Sequence, residues 1–187
     1  MMFTQKRSAP KLHSIHALPA GAAFTGKIEA GRATYQFTFA PKSAEVSGGK
    51  LKLKGDVAIK SPAGRKRVAA GVEATLAATQ GSIQPPPPAP SALPDHLRPA
   101  TAASATDATD GLSSIGVLYL KLAPLDGRAL GVPMDLSDLQ LNARLYPQSQ
   151  LERDLQWLYS AWLLASHGGN EQRSNACLGE INQRFKH

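Results

Sequence analysis

Between Thr34 and Leu76 apolar residues fall on every second position in three successive runs, a pattern that a pleated strand buries on one face and a helix does not. In "ATYQFTF", Tyr35, Phe37 and Phe39 point one way while Thr34, Gln36 and Thr38 point the other. In "GKLKLKGDVAIK", Leu51, Leu53, Val57 and Ile59 share one face, and Lys50, Lys52, Lys54, Asp56 and Lys60 share the other. In "RKRVAAGVEATLAATQ", Val68, Ala70, Val72, Ala74 and Leu76 extend the pattern, and its small alanines leave room for the bulky aromatics. "SGGK" and "SPAGRK" carry the Gly and Pro that chain reversals need. Strands over 32–40, 50–60 and 66–80 are therefore expected to form an antiparallel meander, with an earlier strand near 23–30. Gly55 falls on the apolar face, where a bulge or a close backbone approach is expected.

The alternation returns late in the chain. "SIGVLYLKLAP" sets Leu118, Leu120 and Leu122 against Val117, Tyr119 and Lys121, which reads as a strand covered on both sides. "LDGRALGVPMD" reads as a long loop, and "LSDLQLNARLYP" as a strand with Leu139, Leu141, Ala143 and Leu145 inward. Ser149 and Glu152 then have the S-x-x-E spacing of a capping box, and Gly168 and Gly169 stop the helix that follows. Its apolar surface is wide, because Trp157, Tyr159, Ala161 and Leu164 flank the stripe of Leu151, Leu155, Leu158 and Trp162. A weaker helix follows, with Cys177, Leu178, Ile181 and Phe185 as a narrow stripe and Gly179 against it.

Composition marks the divisions. Residues 1–22 read as an N-terminal arm, 23–83 as the first part of a β-rich domain, and 84–110 as an exposed Pro/Ala/Thr-rich linker or excursion. Residues 111–187 supply the remaining strands and helices. Two isolated strands are marginal in water, so they are expected to complete the sheet begun before the linker. The fold class is α+β and mainly β, an antiparallel β-sandwich or partly closed barrel of about six strands with one or two C-terminal helices.

Charge is unevenly placed. Residues 1–70 hold 13 Lys and Arg against three acidic residues, whereas the remaining 117 hold eight against 11. A basic first part suits an acidic protein surface, an anionic membrane surface or, with less support, nucleic acid. The candidate contact residues are Lys50, Lys52, Lys54, Lys60, Arg65, Lys66 and Arg67, joined by Trp157 and Trp162 on the wide helix. No early apolar run and no run of about 18 apolar residues is present, so a cytoplasmic protein, or one peripheral to a membrane, is expected.

Catalytic chemistry has no evident carrier. Nucleophile-elbow, P-loop, zincin and dinucleotide patterns are all missing. His13 and His16 lack a third ligand nearby, and Asp135 and Asp138 lack the ligand loop of a calcium site. Cys177, the only cysteine, reads as a packing residue. No cofactor and no metal are expected. The resulting expectation is a non-catalytic β-rich interaction or accessory module that docks through its basic N-terminal part onto a larger protein assembly with an acidic surface, free or membrane-associated. Carriage of a lipid or other apolar ligand inside a barrel, and nucleic-acid binding, are the alternatives.

Overall fold

The computed structural model describes residues 12–82, 87–98 and 114–187. Seven strands follow one another around a closed barrel: β1 (His13–Ala20), β2 (Ala23–Ala30), β3 (Ala33–Ser47), β4 (Lys50–Lys60), β5 (Lys66–Gly81), β6 (Ile115–Leu122) and β7 (Leu139–Arg144). Successive strands pair antiparallel, and β1 closes on β7 in parallel, from His13↔Leu139 to Ala17↔Ala143. An odd number of up-and-down strands leaves the first and last running the same way, so parallel closure follows from the count. The sandwich expectation, and the count of about six strands, are corrected by this closed seven-strand ring.

The additional strand is β1, which lies inside the stretch read as an arm. Its inward residues are only Ile15 and Ala17, too few and too small to stand out as alternation among His, Ser and Pro. The interior they help fill also holds Phe37, Phe39, Leu53, Val57, Leu118, Leu120 and Leu141, each 0% exposed. A side chain with no accessible surface borders no void that a water can enter, so these residues pack against one another as small barrels require.

Gly55 marks a corner of the wall. A Cβ there would run into the Ala40 carbonyl oxygen and the Pro41 backbone, the expected close approach. Bulges flank it on both sides. Lys42 is the extra residue where β3 slips against β4, and Ala70 and Gly71 together face Asp56 where β5 slips against β4. Gly71 takes φ +67°, a conformation that Gly adopts freely. This second bulge overturns part of the inward pattern expected for β5. Val72, Ala74 and Leu76 are buried, but Val68 is 54% exposed and Ala70 also faces solvent. On β6, Leu118, Leu120 and Leu122 point inward as expected, while Lys121 is exposed, so its second face is not fully covered.

Helix α1 (Gln150–His167) and helix α2 (Glu171–Arg184) cover one end of the barrel. The Ser149–Glu152 capping box forms as expected. Glu152 also accepts the N–H of Gly21 at 2.8 Å and of Gln148 at 2.6 Å, which fastens the β1–β2 turn to the start of α1. Deeper in, Gln156 donates to the carbonyls of Ile115 and Leu145, and Ser160 Oγ accepts from the Ile115 N–H. On α2, Asn182 makes a two-way backbone pair with Ala44 of β3. Leu155, Leu158, Tyr159 and Trp162 join the barrel core, so most of the breadth of the apolar surface on α1 is used within the chain, while Leu164 is 48% exposed.

Of the stretch expected to be an exposed linker, residues 87–98 are described. Leu93 and Leu97 are buried around a short 3₁₀ turn, Asp95–Leu97, so they anchor a stretch whose Pro88, Ser91, Ala92, Asp95, His96 and Arg98 are exposed. Residues 84–86 and 99–110 lie outside the described residues. At the far end of the barrel the 123–138 loop contributes Leu125, Leu130, Val132 and Leu136 to the core.

Candidate interaction surface

Alternation along β4 sends Lys50, Lys52, Lys54, Asp56 and Lys60 outward, and what each lysine can do depends on the strand beside it. Lys52 and Lys54 straddle Glu73 of β5, their Nζ atoms 3.7 and 4.0 Å from its oxygens. Lys42 lies 2.6 Å from Asp56. Its hydrogen bond, with a second from the Gly71 N–H, holds the Asp56 carboxyl below its usual range. Exposed pairs of this kind stabilise little, but they lower the charge of this half of the face, where Asp56 and Glu73 offset two of the three cations Lys42, Lys52 and Lys54. Lys50 remains exposed at the β3–β4 turn.

Towards the end away from the helices the arrangement changes. The register sets Lys27 beside Gln36, Gln36 beside Lys60, and Lys60 beside Lys66. Three lysines and one glutamine therefore form a single row across β2, β3, β4 and β5, about 14 Å long at ordinary strand spacing. All four side chains are exposed. Among the described residues none of these three lysines makes an ion pair. Like charges directly opposite, as Lys60 and Lys66 are, repel.

The β4–β5 turn holds a further cation at the edge of the row. Ser61 N–H donates to the Arg65 carbonyl at 2.8 Å, and Gly64 and Arg65 N–H groups donate back to Ser61, so Arg65 rides on a closed, hydrogen-bonded turn. Arg67 behaves differently. Its Nη1 donates to the Ala129 carbonyl at 3.0 Å and its stem lies over Gly131, which makes it a tie to the 123–138 loop.

The tryptophans separate as well. Trp162 is buried in the core at 3% exposure, a correction to its expected place on a docking face, and Trp157 is half-buried. Both are on the helical cap, away from the lysine row. Of the expected contact residues, then, the fold brings Lys60, Arg65 and Lys66 together, sets Lys52 and Lys54 on one shared carboxylate, and uses Arg67 and Trp162 internally.

Lys27 and Gln36 were not among the expected contacts. Their outward parity is readable in "FTGKIEA" and "ATYQFTF", but only the strand register aligns them with residues up to 39 positions away. Elsewhere, burial pushes the Cys177 thiol up, with Arg173 opposing more weakly, so the thiolate needed for nucleophilic chemistry is disfavoured. Among the described residues no three His, Cys, Asp or Glu side chains converge as a metal site. None of their helices is long and apolar enough to cross a membrane. Set against known protein families, curated proteins and solved structures, the chain matches none.

Proposed function

We propose that this chain is a non-catalytic binding module that docks onto an acidic surface of a partner protein assembly through the transverse row of Lys27, Lys60 and Lys66, with Arg65 beside it. The observation that carries this reading is the row itself, three exposed lysines that make no ion pair among the described residues and are held in register on the barrel wall. Opposed like charges cost stability in the free protein, and an acidic partner relieves that repulsion while gaining electrostatic steering. Nucleic acid is less suited, because the aromatics that would stack bases point into the barrel: Phe37 and Phe39 are 0% exposed and Tyr35 8%. A lipid-like cargo is less suited too, since the barrel centre is filled by packed side chains.

The test is retention of partners from a nuclease-treated extract by the full chain and by its Lys60→Glu/Lys66→Glu variant. Proteins held by the parent should be lost by the variant, and also by the parent at raised salt, while both melt at similar temperatures. Identical retention by both proteins overturns the reading.

A further inference from the structure

The barrel wall opens where the lysine row ends. Strands β1 and β2 pair only from Ala17↔Gly26 to Ala20↔Ala23. Before that point His13–His16 pair with β7 alone, and Lys27–Ala30 pair with β3 alone. Gly26 is the pinch from which the strands diverge, since a Cβ there would sit 2.7 Å from Ile15 Cγ2 and nearer still to the His16 carbonyl oxygen.

Between the diverging strands lies a wedge of about 370 Å³, lined by consecutive residues of β1 (13–16) and β2 (27–29). Its two walls are the edges of β1 and β2 that do not pair with each other, and Met134 of the 123–138 loop also lines it. Ile15, Ile28 and Leu139 form a buried apolar floor, and Ser14, His16, Lys27 and Glu29 form exposed lips.

Strand edges left unpaired in this way are templates for another strand. We infer that the wedge receives an extended acidic peptide segment of the partner, which adds between β1 and β2. This inference rests on the acidic-partner reading above. Main-chain hydrogen bonds to the two edges would hold the segment, and its inward side chains would lie shallow beside Met134, because Ile15, Ile28 and Leu139 close the floor beneath them. The intervening side chains project outward where Lys27, Lys60 and Lys66 outnumber the one lip carboxylate, Glu29, which is why an acidic segment fits. The wedge and the row thus form one continuous surface.

The probe is a fluorescein-labelled peptide, acetyl-Asp-Val-Asp-Val-Asp-Val-Asp-amide, beside a twin N-methylated at each valine. The two carry the same charge, but the twin lacks the three valine N–H donors, which all face one edge of the wedge. Binding to the full chain is followed by anisotropy at low salt, and amide hydrogen exchange is followed at 14–16 and 27–30. Strand addition predicts that the twin binds at least about ten-fold more weakly, and that only the parent peptide slows exchange at those amides. Equal affinities, or unslowed exchange at the wedge, overturn the strand-addition inference and leave the lysine row standing. Failure of both peptides to bind at low salt overturns the inference and counts against the acidic-partner reading as well.

Discussion

Single residues show how one side chain joins distant parts of the barrel. Burial pushes the Glu152 carboxyl up, but the N–H groups of Gln148, Gly21 and Ser149 together outweigh it and hold the group below its ordinary range. A depressed pKa means that the folded state favours the ionised form. The stabilisation is therefore complete above the ordinary Glu value of about 4.3 and is lost as pH falls through the lowered one. Glu152→Gln should cost about 1–3 kcal/mol near neutral pH, and the difference from the parent should shrink on acidification. Urea midpoints for both proteins between neutral pH and about pH 3 check this. Half of this residue's role is legible in "SQLE", where the capping spacing is plain. The bond to Gly21 is not, because it spans 131 positions.

At the scale of elements, period-2 alternation located β2, β3, β4 and β5 to within a few residues, apart from the end of β3, because each strand has one buried face. It failed where the parity changes within a strand. Gly71 is visible in the sequence, yet nothing local says that it takes positive φ and turns Val68 outward. The second helix gives the converse case. Gly179 argues against a helix by propensity, but the tertiary contacts of Cys177 and Ile181, both 0% exposed, hold α2 in place. A Cβ at Gly179 would meet nothing within 4 Å, so Gly179→Ala should stabilise the protein by about 0.5–1 kcal/mol. Thermal melting measures that gain, and an unchanged or lowered midpoint would contradict this account of α2.

For the whole molecule the decisive feature is closure. β1 pairs with β7 from His13 to Ala17 and with β2 from Ala17 to Ala20, so it is the strand that joins the two ends of the sheet and leaves only the short edges beside the wedge unpaired. Deleting residues 1–20 should expose long edges on β2 and β7 and give a chain that aggregates or loses its cooperative melt. A soluble, cooperatively melting truncation would mean that the ring does not depend on β1. The lysine surface also belongs to this scale, because a charge in one strand acquires meaning from the three strands beside it.

By itself the sequence determined the mainly β class, most strand faces, both helix stops of α1, and the excess of positive charge in the first 70 residues. Each is a local property, set by side-chain period, capping chemistry or count. Only the tertiary structure decided the seventh strand, the parallel closure, the sharing of Glu73 by Lys52 and Lys54, and the alignment of Lys27, Lys60 and Lys66. Those depend on register and on contacts between distant positions, which a single chain read end to end does not contain.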